Sequence, residues 1–196
     1  MQILRPAAHW QIPLALAVAC GIAALFGDEG REILRYERPV IADGEYWRLL
    51  SGHIAHLGQQ HLLLNLAGLL LVWLLAGRLY SRRDWTLVML ICVLAMDAGL
   101  WFLDPAVRWY VGLSGLLHGL LVAGAIRGIR PLPVESAVTC VLVAAKLAFE
   151  QIVGPLPGSQ SVAGGAVVVN AHLYGAIGGA LAGLIFWRRV RAAASI

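Results

Sequence analysis

The chain has 196 residues, of which 60% are hydrophobic and 13% are charged, and its mean hydropathy is +0.76. Soluble domains are about half apolar and a quarter charged, so this composition excludes an ordinary soluble domain and requires a surface that faces lipid. The net charge of +4 could suggest a nucleic-acid partner, but the arginines lie between apolar runs, where membrane topology accounts for them better. We therefore predict a membrane protein that binds no nucleic acid.

Six apolar segments are candidates for helices that cross the bilayer, a crossing that takes about 20 residues. They cover residues 7–26, 61–79, 85–103, 113–126, 136–153 and 167–187. The fourth is short for a lipid-exposed span, which favours a helix that begins inside the bundle. Since the connections are mostly short, the sequence predicts a single all-α integral membrane domain over residues 1–196, built as a six-helix bundle.

The arginines between these segments predict the orientation of the chain. Nine fall on one side of the predicted bundle and five on the other. The nine are Arg5, Arg78, Arg82, Arg83, Arg127, Arg130, Arg188, Arg189 and Arg191, and the five are Arg31, Arg35, Arg38, Arg48 and Arg108. The five also share their side with the acidic residues of loop 28–60. Cytoplasmic loops carry an excess of arginine and lysine, so the side with nine arginines, where both termini lie, is expected in the cytoplasm. The first segment resembles a signal peptide, but we expect it to be retained, because no convincing cleavage site follows it.

The long first loop, residues 28–60, has a pattern of its own. From residue 45 onward, aromatic and aliphatic side chains such as Trp47 alternate with Arg48, His53 and His56. Aromatic residues beside arginine are typical of the membrane–water interface. We therefore predict an interfacial element here, lying in the headgroup plane on the outer side. The loop over residues 154–165, rich in Gly, Pro and Ser, is expected on that side too.

The second predicted span begins with a histidine and an amide four residues apart, His61 and Asn65. This spacing puts both side chains on one helix face. Both can donate hydrogen bonds, so together they could stabilise a negatively charged oxygen. A purely structural alternative is that the pair bonds neighbouring helices together.

The fourth predicted span opens with Gly112-Leu113-Ser114-Gly115. Glycines on both sides of a serine let another helix and a substrate backbone approach closely. A serine at a helix N-terminus also has unpaired backbone N–H groups beside it, as an oxyanion would need. Taken alone, the motif is more often a helix cap or a small-residue packing contact than a catalytic site.

Charged residues inside the third and fifth predicted spans need partners, because an unpaired charge is costly in lipid. Lys146 and Glu150 are four residues apart and are expected to neutralise one another. Asp97 has no partner nearby in sequence, so it is expected to be protonated or bonded to another helix.

The sixth predicted span carries His172, followed by glycines at every fourth residue, Gly175, Gly179 and Gly183. Such a stripe permits a tight approach to another helix, and Gly112, Gly115 and Gly119 make the fourth span the natural partner. His172 would then lie near Ser114. Histidine is the side chain best suited to take a proton from a serine hydroxyl, although an interhelical hydrogen bond would also explain it.

Together these motifs resemble the rhomboid family of intramembrane serine proteases. The resemblance rests on His61-x-x-x-Asn65, Gly112-x-Ser114-Gly115 and Ala171-His172-x-x-Gly175-x-x-x-Gly179, with Trp47-Arg48 before the second span. It implies a Ser–His dyad without a third aspartate, in which Ser114 is the nucleophile and His172 the general base and acid. His61, Asn65 and the Ser114 N–H would form the oxyanion hole, and loop 154–165 would belong to a gate. No metal or cofactor is implied.

Within the family the chain looks most like the rhombosortase branch, because it is short and Ser114-Gly115 continues into Leu117-His118-Gly119. This resemblance implies substrates that are exported proteins with a C-terminal Gly-Gly membrane anchor, and a multi-pass location in a bacterial inner membrane. The alternatives are a general rhomboid protease that cuts other single-span proteins, and a relative that binds membrane segments without cutting them.

Two further interpretations concern the histidines. His118 lies four residues after Ser114 and could compete with His172 as the base. His53, His56 and His61, near the outer interface, together with the intramembrane His118 and His172, could instead form a zinc or haem site, although their spacing matches no ligand motif.

Overall fold

The computed structural model describes residues 10–194, with side chains up to residue 187. Arg5, the predicted start of the first span at residue 7 and the side chains of Arg188, Arg189 and Arg191 lie outside the described residues.

Helices dominate the described part of the chain, and one short strand pair joins two of the loops. The helices are α1 (Gln11–Leu25), α2 (Gly27–Leu34), α3 (Arg38–Ala42), α4 (Arg48–Ser51), α5 (Gln59–Ala76), α6 (Arg82–Ala98), α7 (Ser114–Gly128), α8 (Pro133–Ile152), α9 (Ser159–Ala163) and α10 (Val169–Ala194). A π-helical segment, Gly99–Leu103, continues α6, and the strands are β1 (Tyr36–Glu37) and β2 (Trp109–Tyr110).

Three helices within residues 10–187 are long and apolar enough to cross a membrane: α5, α6 with its π-helical continuation, and α10 as far as Trp187. The bent pair of α1 and α2, which meet at 118°, would make a fourth if it counts as one span. Helices α1 and α7 have 15 residues each, and α8 carries Glu135, Lys146 and Glu150 along its 20 residues. The mostly helical membrane architecture is therefore confirmed, whereas the number of six spans stays a prediction.

Each predicted span corresponds to one long helix, with shifted ends. The predicted start of the third span at residue 85 comes three residues late, because Ser81 already caps α6 by accepting a hydrogen bond from the Asp84 N–H at 3.1 Å. Likewise, α8 begins at Pro133 rather than at residue 136, since proline suits the first turn of a helix.

The first loop is fastened to the rest of the protein by an antiparallel pairing and by buried arginines. Tyr36 pairs with Tyr110, which joins β1 in this loop to β2 just before α7. The Arg38 guanidinium donates to the backbone carbonyls of Leu100, Trp101 and Asp104, where the π-helical segment ends. These carbonyls would otherwise lack partners, so a cation is favourable there.

Arg48 anchors the same loop from within. The residue is 7% exposed, and its side chain donates to the Glu45 carboxylate at 2.6 Å and to the carbonyls of Glu32 and Arg35. Tyr46, Trp47 and Leu50 remain exposed, as suits a lipid or headgroup contact. Loop 28–60 thus combines an exposed apolar edge with a firmly bonded interior.

Helix α7 lies at the centre and packs against α5, α6, α8 and α10. Its contact with α10 is the closest, because glycines face backbone on both sides. A Cβ atom at Gly175 would collide with the Gly115 carbonyl, and one at Gly179 with the Gly119 carbonyl. Gly115 in turn has no room for a Cβ beside the Met96 side chain and the Ala171 carbonyl. The glycine stripe therefore determines how near the two helices lie.

Replacing Gly179 by valine should destabilise the fold. The added side chain would force α7 and α10 apart, and overpacking of this kind costs about 1–3 kcal/mol or more. Thermal unfolding in detergent should show a lower Tm than the wild type. Gly21→Val in α1 is the matched control, since a Cβ there meets nothing within 4 Å. Equal Tm values for the two variants would contradict a close contact between α7 and α10.

Candidate active site

Ser114 is the first residue of α7, so its backbone N–H lies in the turn that has no intrahelical partners. The chain reaches it through Gly112, whose φ of +128° strongly favours glycine. The first loop holds this glycine, because the Gly112 N–H donates to the Gly52 carbonyl at 3.0 Å. From the other side, the Tyr110 hydroxyl donates to the Gly112 carbonyl at 2.6 Å.

His172 lies in the first turn of α10 and is 5% exposed. Its Nε2 is 2.9 Å from the Ser114 Oγ. The loop before β2 fixes this turn on both sides of the histidine, because the Asp104 carboxylate accepts hydrogen bonds from Asn170 and Tyr174. Close packing of α7 and α10 and this anchoring together bring serine and imidazole into hydrogen-bond contact.

Glu150 of α8 approaches the other nitrogen of the same ring. Its Oε2 is 2.9 Å from His172 Nδ1, and its Oε1 is 2.6 Å from Lys146 Nζ. The predicted Lys146–Glu150 pair is present, but the contact of Glu150 with His172 was not predicted from the spacing. The available signal was the burial of a carboxylate in lipid, which demands more than one partner.

His118 contacts both Ser114 and His172, but it does not take the place of His172 beside the serine hydroxyl. Its Nδ1 is 2.7 Å from the Ser114 carbonyl oxygen, and its ring stacks on that of His172 with centroids 4.3 Å apart. The Ser114 hydroxyl itself bonds to His172. His118 is thus oriented by the backbone of the serine rather than by its hydroxyl.

His61 and Asn65 both lie beside the chain that precedes Ser114. A Cβ atom at Gly112 would lie 2.8 Å from His61 Cε1 and 3.9 Å from Asn65 Nδ2. The Leu57 N–H donates to His61 Nδ1 at 3.3 Å, so in the neutral ring the proton is on Nε2, which is then a donor. Asn65 Nδ2 is buried and has no hydrogen-bond partner among the described residues. Two donors are therefore held near the serine.

A cavity of about 310 Å³ adjoins Ser114, His172 and His61. Its remaining lining is largely apolar: Leu57, residues 106–111, Ala163 and residues 166–168. Ala163 is the last residue of α9, within loop 154–165, and Gly165, two residues later, approaches the Leu57 side chain. The loop predicted to form a gate therefore borders the cavity.

The outer histidines do not converge on one point. His53 Nε2 is 3.1 Å from Asp97 Oδ1, which gives the intramembrane aspartate its partner. His56 lies edge-on to His61, and burial together with the charge of His61 lowers the pKa of His56 to about 4. Within the described chain, the side chains that approach as metal ligands are His118, Glu150 and His172, of which the two histidines belong to the predicted set.

That second group is engaged in hydrogen bonds. Both His172 nitrogens and both Glu150 oxygens have partners, and the Lys146 ammonium lies against the carboxylate. A cation placed there would meet the Lys146 charge at short range, which is unfavourable. The donor set is better suited to proton transfer than to metal binding.

The comparisons with known proteins identify the family. No curated protein matches the sequence. Residues 43–189 match the family model of the Rhomboid domain, and this segment contains every residue of the site described above. Because the match covers more than half of the chain, the protein belongs to the rhomboid family, whose members are intramembrane serine proteases that act on transmembrane substrates.

Proposed function

We propose that this protein is an active intramembrane serine endopeptidase in which Ser114 is the nucleophile and His172 the general base. The observation that carries the proposal is the 2.9 Å contact between Ser114 Oγ and His172 Nε2 at the wall of a cavity. A serine hydroxyl is a poor nucleophile unless a positioned base takes its proton, and an imidazole does so efficiently near neutral pH.

The reaction follows from this arrangement. Ser114 Oγ attacks the carbonyl carbon of the scissile peptide bond while its proton passes to His172 Nε2. The tetrahedral intermediate collapses as the C–N bond breaks, and His172 returns the proton to the leaving amine. Water then attacks the resulting ester, again with His172 as base, and releases the carboxylate product and the free serine.

The negative oxygen of the intermediate needs donors that are already in position. The Ser114 N–H, His61 Nε2–H and the amide of Asn65 supply them in this proposal. The supporting observation is that the buried Asn65 Nδ2 has no partner within the described part of the chain, because a buried polar group without a partner is costly unless a ligand uses it. Preorganised donors of this kind stabilise the developing charge without rearrangement.

The substrates we propose are single-span proteins embedded in the bilayer, because the cavity lining is largely apolar and includes three alanines, at positions 106, 163 and 166. The finer proposal, a C-terminal Gly-Gly anchor on an exported protein, rests on resemblance to the rhombosortase branch. A bacterial inner membrane rests on the same resemblance, and the number of six spans rests on the six apolar segments. Cytoplasmic termini complete the proposal, supported by the arginine distribution.

Ser114→Ala and His172→Ala should each abolish cleavage of a reporter with a Gly-Gly, hydrophobic-helix, basic C-terminal tail, measured with purified protein in detergent. Loss of the nucleophile or the base removes about 10³-fold or more of the rate. Thr86→Ala, which removes an exposed hydroxyl on α6 outside the cavity lining, is the matched control. Cleavage of a general single-span reporter alone would keep the protease and reject the Gly-Gly substrate. A folded wild type that cleaves neither reporter would contradict the proposed function.

Asn65→Ala should lower kcat by about 10²–10³-fold with a small change in KM, because the lost donor acts mainly on the transition state. Steady-state kinetics on the cleaved reporter measure both constants. Gln59→Ala, at the exposed start of α5, is the control on the same helix. A change confined to KM would assign Asn65 to substrate binding instead.

Gln160→Cys should react with a membrane-impermeant maleimide in intact bacterial cells, whereas Arg130→Cys should not. The reason is that loop 154–165 is proposed to face outward and the loop after α7 inward. Both positions are exposed, and the wild type measures the background from the native cysteines. The reverse labelling pattern would invert the proposed topology.

A further inference from the structure

Three side chains line up across three helices in the order Ser114, His172, Glu150. The distance from Ser114 Oγ to His172 Nε2 is 2.9 Å, and that from His172 Nδ1 to Glu150 Oε2 is also 2.9 Å. The two nitrogens lie on different sides of the imidazole ring. The carboxylate therefore contacts the ring at the nitrogen that does not face the serine.

Glu150 is 3% exposed, so its charge is costly unless both oxygens are used. Oε1 accepts from the Lys146 ammonium at 2.6 Å, which leaves Oε2 for the imidazole. The lysine keeps the carboxylate ionised and holds its orientation. An ionised acceptor forms a stronger hydrogen bond than a neutral one.

The identity of the group behind Nδ1 decides the tautomer of His172. If Nδ1 carries the proton, Nε2 presents a lone pair to the Ser114 hydroxyl and can act as base. Lys146 Nζ is also 3.4 Å from Nδ1, and as a donor there it would favour the opposite tautomer, with the proton on Nε2. The Glu150 contact is shorter and offers an anionic acceptor, so the tautomer competent for catalysis is favoured.

The neighbouring His118 restricts the ring further. It stacks on His172 at an interplanar angle of 20°, and its Nδ1 is fixed by the Ser114 carbonyl. Rotation of the His172 ring would break this stack as well as the two hydrogen bonds. The His172 ring is thus supported on one face by His118.

We propose that Glu150 is the positioning residue of a Ser114–His172–Glu150 triad, held in place by Lys146. The proposal rests on the proposed protease function and extends it, because a dyad alone would leave Nδ1 without a defined acceptor. Glu150 fixes the His172 tautomer and stabilises the imidazolium formed when Ser114 loses its proton. It takes up no proton itself in the reaction.

The test uses full-length protein in detergent with a cleavable single-span reporter. Glu150→Gln keeps the size of the side chain but replaces the anion by an amide that can also donate. It should lower kcat by about 10²–10⁴-fold with KM nearly unchanged, because a wrongly oriented or wrongly protonated imidazole affects the chemical step. Glu150→Asp retains the carboxylate and should recover part of the rate. Glu135→Gln, an exposed glutamate at the start of the same helix, should behave as wild type.

Labelling of Ser114 by a fluorophosphonate probe provides a second readout that needs no peptide substrate. The probe should label the wild type and Glu135→Gln rapidly and Glu150→Gln slowly. Glu150→Gln removes the counter-charge of Lys146 and could leave that charge unpaired. If this single variant does not fold, the Lys146→Met/Glu150→Gln double variant, which removes both charges, is measured in its place. It should also have a low kcat and slow labelling.

The outcomes separate the two proposals. If the wild type cleaves, Ser114→Ala does not, and Glu150→Gln or the folded double variant keeps wild-type kcat and labelling, the triad is wrong and the dyad stands. If Glu150→Gln changes only the Tm, Glu150 is structural and the triad is likewise wrong. If folded wild type neither cleaves nor reacts with the probe, the proposed function itself fails.

Discussion

The contact between two glycine-bearing helices is the constraint on which the rest of this structure depends. Gly115 and Gly119 of α7 meet Gly175 and Gly179 of α10 so closely that no Cβ atom fits between them. Only at this separation can a serine on one helix and a histidine on the other form a hydrogen bond directly. In lipid, where apolar surfaces gain little by association, such backbone proximity is a main source of attraction between helices.

The glycine spacing is also why so much could be predicted from the sequence. Small residues at every fourth position marked α7 and α10 as partners, and serine and histidine stood near the same end of each. The contact between Glu150 and His172 was not predicted, because Lys146, one turn away, already accounted for the charge of Glu150. The partner of Asp97 was not predicted either, since His53 belongs to a loop rather than to a span. Contacts made within a helix can be inferred from spacing, whereas contacts between helices depend on rotations that the sequence alone does not determine.

The site buries charged side chains, which is costly inside a membrane unless each charge is paired. Lys146, Glu150 and His172 form a connected polar chain in which each acceptor faces a donor. A buried polar network with unpaired groups is less stable than an apolar core, so each of these residues holds its partners in position. The same reasoning explains the first loop, where the Arg38 and Arg48 guanidinium groups satisfy backbone carbonyls left free by short helices and by the π-helical segment.

The pairing of β1 with β2 has a consequence for where the functional unit begins. The family match starts at residue 43, yet Tyr36, Glu37 and Arg38 lie upstream of it. A chain trimmed to the matched segment would leave β2 with an open edge and the end of the π-helical segment uncapped, directly beside the glycine that leads into Ser114. The smallest unit that keeps the candidate site supported is therefore larger than the stretch by which the family is identified, and an excision designed from the family boundary would remove an element that supports the chain before Ser114.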